Sequence, residues 1–202
     1  MGRTVQMEPL EPSRHGPALW EALREAPGSV WTYMTFGPFE RYGEFAGALD
    51  AIAAPADWLP YTAMVDGEPL GFASYLRIEP GAGCIEIGSI TWAPSMQRTT
   101  SSTEALHLMI AHAFDLGYRR CEWKCDDLNA PSRSAALRLG FTYEGTFRQA
   151  THYKGRNRDT AWYSIIDREW PPLDQAFQRW LAPQNFDSAG SQLETLERMR
   201  GQ

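Results

Sequence analysis

Between Cys84 and Phe141 the chain runs a strand through a hydroxyl-rich loop straight into an apolar helix, and this order of elements sets what the rest of the fold must supply. Cys84-Ile85-Glu86-Ile87-Gly88-Ser89-Ile90-Thr91-Trp92 reads as the strand and Ala93-Pro94-Ser95-Met96 as a turn. The loop is Gln97-Arg98-Thr99-Thr100-Ser101-Ser102, and it opens into a helix expected from Thr103 to Leu116. The first turn of a helix has unpaired N–H groups and the positive end of the dipole, so this junction is a candidate anion cradle suited to a phosphate. The helix is apolar over most of its circumference (Ala105, Leu106, Leu108, Met109, Ile110, Ala113, Phe114), which predicts that it packs inside a larger structure, against a sheet. Gly117 stops it, and Arg119 to Cys125 returns as a strand. Asn129-Ala130-Pro131-Ser132-Arg133 then leads into a short helix, Pro131 to Leu139, that ends at Gly140-Phe141.

The flanking sequence predicts a sheet on both sides of this unit. Val5 to Leu10 reads as a first strand and Pro17 to Glu25 as a helix with Pro at an early position and Leu19, Trp20 and Leu23 on one side. Residues 27 to 38 form a loop rich in Gly, Pro and aromatics, followed by a helix from about Phe39 to Ala53, with Pro55 marking its end. Tyr61 to Val65 and Leu70 to Ile78 are strands joined through Asp66-Gly67, a strong hairpin signal. Thr142 to Ala150 and Ala161 to Ile166 are the last strands. Leu173 to Leu181 reads as a helix and Pro183 to Gly190 as a polar link, with Ser191 to Arg200 a candidate terminal helix carrying Leu193 and Leu196 on one face. The expected organisation is one domain over 1–182 and a tail over 183–202, either a frayed end or an arm against a second subunit.

At 202 residues the chain is long enough for one domain with a sizeable core. It is 43% hydrophobic, with no apolar run that would span a bilayer and no signal-peptide core at its N-terminus. A net charge of -6 disfavours a general nucleic-acid partner and is compatible with a cationic amine. Three cysteines, Cys84, Cys121 and Cys125, fall in expected strands. An odd number with no signal peptide predicts reduced thiols in the cytoplasm, and no further Cys or His at short spacing predicts no metal site.

The ordered set of loop, Asn129-x-x-Ser132 and Leu139-Gly140-Phe141 resembles the GNAT superfamily of acetyl-CoA-dependent N-acetyltransferases, and most closely the branch of ribosomal-protein N-terminal acetyltransferases. The segment Lys154-Gly155-Arg156-Asn157-Arg158-Asp159-Thr160-Ala161-Trp162-Tyr163-Ser164-Ile165 resembles the end of the same branch. The resemblance implies an α/β (α+β) fold with a mixed central sheet of about seven strands, antiparallel in its N-terminal part, and helices on both faces. It also implies acetyl-CoA as co-substrate, no metal, and acetyl transfer to a primary amine in a ternary complex; the amine is a protein N-terminus or a small molecule. Homodimers are common in that branch. The family's loop is written Q/R-x-x-G-x-G/A; Gln97 fills its first position, but Thr100 and Ser102 stand where the glycines belong. Glycine permits positive φ and close approach to phosphate, so the loop either runs as ordinary helix here or grips differently, with the hydroxyls of Thr99, Thr100, Ser101 and Ser102 as candidate donors.

On this resemblance the cofactor contacts are the backbone of Ile90, Thr91 and Trp92, the loop Gln97, Arg98, Thr99, Thr100, Ser101, Ser102 and Thr103, and the side chains of Asn129 and Ser132. Asn129 is equally a helix N-cap. Glu86 lies eleven residues before Gln97, a spacing similar to that of the general-base glutamate in the histone-acetyltransferase branch. It is a candidate base for an ammonium substrate, against the alternatives of a solvated strand-face glutamate or a salt bridge. The tyrosine that many members use as general acid would fall at Ala136 and is absent, leaving Ser132, a hydroxyl near Tyr143 or Tyr163, water, or unassisted thiolate departure. Trp31, Tyr33 and Phe36 are candidates to wall the acceptor site, with core packing the alternative for these rings, and His152 to lie at its mouth as another base. Arg156 and Arg158 are solvated charges or phosphate contacts, and His107 and His112 read as structural. A non-catalytic acyl-CoA-binding module is the alternative that the altered loop and missing tyrosine keep open.

Overall fold

The computed structural model describes residues 2–201. Its elements in chain order are β1 (Gln6–Pro9), α1 (Pro12–Leu23), α2 (Tyr42–Ala53), β2 (Leu59–Val65), β3 (Glu68–Glu79), β4 (Cys84–Trp92), α3 (Thr100–Asp115), β5 (Arg120–Asp126), α4 (Ala130–Leu139), β6 (Thr142–Tyr153), β7 (Arg156–Ile166), α5 (Trp170–Leu181) and α6 (Leu196–Met199). The strands form one seven-stranded sheet in the order β1-β2-β3-β4-β5-β7-β6. Every neighbouring pair is antiparallel except β4 with β5. A parallel pair needs a crossover, and α3 provides it.

Alternation along the strands separates two faces. Ile85 and Ile87 of β4, Cys121, Trp123 and Cys125 of β5, and Tyr163 and Ile165 of β7 are buried in one cluster with Leu106, Met109, Ile110 and Ala113 of α3. Phe72 of β3 turns the other way and joins a second cluster with Leu19 and Leu23 of α1 and Phe45 and Leu49 of α2. The helices therefore cover both faces, with α3, α4 and α5 on one and α1 and α2 on the other. Cys121 and Cys125 sit in the first core, where burial pushes both thiols up. They behave there as small hydrophobes.

Two irregularities at the centre of the sheet matter for function. The parallel ladder holds only Cys84↔Arg120, Ile85↔Cys121 and Glu86↔Glu122; beyond Glu86 the two strands separate. On the other side of β4 the register to β3 slips between Ser74↔Gly88 and Phe72↔Thr91, giving β4 one extra residue, and Ser89 takes a left-handed φ of 49° there. A bulge bends a strand and sharpens its twist. Here it accompanies the opening of a wedge between β4 and β5.

Several boundaries differ from the sequence expectation. α1 starts at Pro12, which takes the first helical turn, so Pro17 falls inside the helix. α2 starts at Tyr42, since Phe39 packs edge-on against Trp31 and Phe45 rather than joining the helix. The expected terminal helix over Ser191 to Arg200 is confined to Leu196–Met199; Leu196 is fully buried against the main core whereas Leu193 is exposed.

Candidate active site

The anion cradle is built at the junction of β4 and α3. α3 begins at Thr100, three residues earlier than the sequence suggested, because Thr99 caps it: its hydroxyl oxygen accepts from the Ser102 amide at 3.2 Å. Thr100 and Ser102 thus lie in the first helical turn, where no positive φ is required. The left-handed residue is Arg98, at φ 60°. Among the described residues the amides of Arg98, Thr99, Thr100 and Ser101 donate to no backbone or side-chain acceptor. A left-handed residue leading into a helix N-terminus gathers consecutive N–H groups into an anion-binding concavity. Three of the four loop hydroxyls, those of Thr99, Ser101 and Ser102, are engaged inside the protein. Thr99 donates to the Met96 carbonyl (2.7 Å), Ser101 to the Thr4 carbonyl (3.3 Å) and Ser102 to the Thr99 carbonyl (2.8 Å). Gln97 donates to the Trp92 carbonyl at 3.0 Å and fixes the turn that leads into the loop.

The wedge opens below this cradle. Ile90, Thr91 and Trp92 line its β4 side past the bulge, and β5 forms the other wall. At the end of β5, Asn129 caps α4 by accepting from the Ser132 amide at 3.2 Å. Ser132 in turn accepts from Trp123 Nε1 at 3.0 Å. Ala136, where the tyrosine would stand, is completely buried in the core.

At the apex of the wedge, on the α1/α2 face, sits a charged cluster. Glu86 is only 2% exposed. Lys124 Nζ lies 2.9 Å from its Oε2 and Arg77 Nε 3.8 Å. Glu122, its in-register neighbour, meets Arg120 at 2.8 Å and Arg77 at 3.7 Å. Burial raises the Glu86 pKa above the ordinary carboxylate value, Lys124 and Arg77 oppose that rise, and Glu122 adds to it. The Trp162 ring lies 5.2 Å from the Arg77 guanidinium and 5.3 Å from the Lys124 ammonium. A raised pKa brings a carboxyl toward the range in which it takes and returns a proton near neutrality.

The wide end of β5 is closed by the β6–β7 hairpin and the aromatic loop. Asp126 is buried and accepts from the Leu128 amide (3.0 Å), from Tyr153 (2.8 Å) and from Arg156. Tyr33 donates to the Leu128 carbonyl at 2.9 Å, and Lys154 Nζ to the carbonyls of Trp31 (2.7 Å) and Gly37 (3.1 Å). Phe36 packs on Phe72 with centroids 6.2 Å apart. Trp31 is buried within this aromatic cluster, while His152 is exposed on β6 opposite Asn157. The structure thus gathers Glu86, the end of β4, the loop and the Asn129–Ser132 turn around the wedge, and sets His152 out on the hairpin. Sequence reasoning gave no role in the site to Lys124, Arg77, Trp162 or Asp126. Strand alternation from Glu122 to Lys124 to Asp126 was the available signal, since it sets three charged residues on one face of a central strand.

The site is thus a seven-stranded mixed sheet, its one parallel pair short, beside a helix-terminal anion cradle. The acetyltransferase (GNAT) family profile matches residues 17–141. The chain belongs to this family, whose members use acetyl-CoA, and is an acetyltransferase. It is similar to a GCN5-related N-acetyltransferase from Brucella melitensis, at 45% identity and a TM-score of 0.96 over 100% of this chain and 93% of that one. It is also similar to a probable acetyltransferase of the GNAT family from Chromobacterium violaceum (41% identity, TM-score 0.81, 84% of this chain and 86% of the other). The Salmonella typhimurium acetyltransferase that modifies the N-terminal serine of the 50S ribosomal protein L7/L12 shares the fold, at 23% identity and a TM-score of 0.71, over 82% of this chain and 96% of that one. No curated protein matches the chain. Among the described residues there is no group of His, Cys, Asp and Glu that could hold a metal ion, and no helix long and apolar enough to cross a membrane.

Proposed function

We propose that this acetyltransferase moves an acetyl group from acetyl-CoA to a primary amine, a protein N-terminus or a small amine, by direct transfer while both substrates are bound. The observation that carries this reading is the row of free amides from Arg98 to Ser101 directly above the wedge between β4 and β5. Those amides and the α3 dipole suit a diphosphate. The backbone of Ile90, Thr91 and Trp92 and the Asn129 side chain would hold the pantetheine arm. Bound there, acetyl-CoA supplies an activated acyl group at the apex of the wedge.

The chain's own residues meet the remaining needs. An ammonium acceptor must lose a proton before it attacks, and Glu86, on the α1/α2 side of the apex, takes it, directly or through water. Ser132, whose hydroxyl oxygen accepts from Trp123 Nε1, would donate to the departing thiolate. Thiolate is a modest base, so that assistance need only be slight. Tyr33 and Phe36, backed by the buried Trp31, shape the acceptor entrance together with the hairpin that carries His152. The expected setting is the cytoplasm, and a homodimer is the expected assembly.

The test is a thermal-shift series with acetyl-CoA, CoA, ATP and NAD, followed by thiol release with Ser- and Ala-starting peptides and with small amines. Stabilisation by acetyl-CoA and CoA alone, thiol release that needs an amine, and intersecting initial-rate patterns are expected. Parallel patterns would contradict transfer in a ternary complex. Stabilisation without release across the whole panel would contradict the catalytic reading.

A further inference from the structure

A base that is 2% exposed has an obvious difficulty, because burial favours the protonated carboxyl, and a protonated carboxyl takes no proton from a substrate. The groups facing Glu86 from each neighbouring strand determine whether it stays ionised. From β3, Arg77 Nε lies 3.8 Å away, but this guanidinium is shared with Glu122 (3.7 Å) and Glu79 (3.6 Å) and is 46% exposed. From β5 comes Glu122, a like charge, in register with Glu86. Arg120, also on β5, is committed to Glu122 at 2.8 Å and to Glu144 of β6 at 2.6 Å. Lys124 is therefore the cation that attends Glu86 alone, at 2.9 Å.

Lys124 is also held from behind. Its in-register partner on β7 is Trp162, whose ring centroid lies 5.3 Å from Nζ. Phe147 of β6 packs against that ring, with centroids 5.4 Å apart. An ammonium over an indole face is attracted by the ring quadrupole, which opposes its swing into solvent. On β4, Gly88 leaves the carboxylate room: a Cβ there would lie 3.1 Å from Glu86 Oε1 and 2.8 Å from Leu76 Cδ1.

We propose that Lys124 is a positioning residue, clamped between Trp162 and Glu86, that keeps Glu86 ionised and aimed at the acceptor side of the wedge. The proposal deepens the reading of Glu86 as the base and rests on it for its catalytic meaning, but the clamp is testable without any substrate. No covalent step is involved. The proton that Glu86 takes comes from the acceptor.

The experiment is a pH titration of the carboxyl carbons in protein carrying ¹³C-labelled glutamate, with the Glu86 resonance assigned by its loss in Glu86→Gln. In Lys124→Met the Glu86 midpoint is expected to rise by about one pH unit or more, since an opposite charge at this distance is worth that much. Lys124→Arg should bring it back most of the way, and Trp162→Leu should produce a smaller rise. The Trp162→Leu and Lys124→Arg arms stand by themselves if Lys124→Met does not fold. A midpoint that is the same in Lys124→Met and Trp162→Leu as in the parent would overturn the proposal. The acid limb of thiol release from acetyl-CoA, measured with an Ala-starting peptide, should move in parallel. A limb that stays fixed while the midpoint moves would overturn Glu86 as the base and leave the clamp standing.

Discussion

Asp126 and Glu86 are both buried carboxylates on the same sheet face, and their surroundings push them in opposite directions. For Asp126 burial acts upward, but the Leu128 amide, the Tyr153 hydroxyl and Arg156 together outweigh it and hold the group below the usual carboxylate range. A depressed folded pKa contributes stability that is present above the unfolded value and disappears as pH falls through the folded one. Asp126→Asn should therefore lower stability by about 2 kcal/mol at neutral pH, the scale of hydrogen bonds to a charged group. The gap between denaturant melts of the two proteins should start to close as pH falls to about 3.9, the unperturbed aspartate value, and vanish only beneath the depressed folded value. A gap independent of pH would contradict the assignment. For Glu86 burial dominates and the pKa is raised. Glu86→Gln should cut turnover by about a hundredfold, the usual contribution of a general base, with little change in acetyl-CoA affinity. Steady-state kinetics paired with calorimetry separates the two effects.

At the scale of elements, the wedge depends on how β3, β4 and their bulge fit together. Gly71, at φ 153°, lies where an added Cβ would come within 2.3 Å of the Thr91 carbonyl oxygen. That neighbour is backbone, so β4 itself would have to move. Gly71→Ala should cost about 3 kcal/mol, a value in the long tail of single substitutions, and chemical denaturation checks it; a loss below about 0.5 kcal/mol, within ordinary surface scatter, would show that β4 yields freely. The strands and α3 were legible because their signals are local: Asp66-Gly67 at the hairpin, Gly117 after α3, and apolar residues around α3. For Thr100 and Ser102 the sequence left open an ordinary helical run, and the structure takes it; the start of α3, expected at Thr103, is what differed. The governing signal was Thr99 as an N-cap three residues before Ser102, which starts the helix early and moves the left-handed residue to Arg98.

At the scale of the molecule, local pattern ceases to be informative. The parallel pairing of β4 with β5 is a contact across the sheet and was expected only from the family resemblance. The pairing of Lys124 with Glu86 is also non-local, because periodicity tells which face a side chain takes but not which neighbour stands beside it. The C-terminal segment shows the same limit. Leu196 is fully buried in the core that contains α3, α4 and α5, whereas Leu193 on the same stretch is exposed. Leu196→Ala should cost about 2–5 kcal/mol, seen as a lower denaturation midpoint; a cost near zero would mean that the segment leaves the core in solution.

The account as a whole rests on main-chain amides at the start of α3 holding a diphosphate without help from glycine. Thr100→Pro isolates that claim. Thr100 is the first residue of α3, a position that tolerates proline, and Thr99 before it is already extended at φ -96° and ψ 168°. The substitution removes one free N–H and leaves the helix intact. Calorimetric titration with acetyl-CoA should show affinity reduced about tenfold or more, the value of one hydrogen bond to a charged group, with the melting temperature of the free protein unchanged. Unaltered affinity in a folded Thr100→Pro protein would contradict the account.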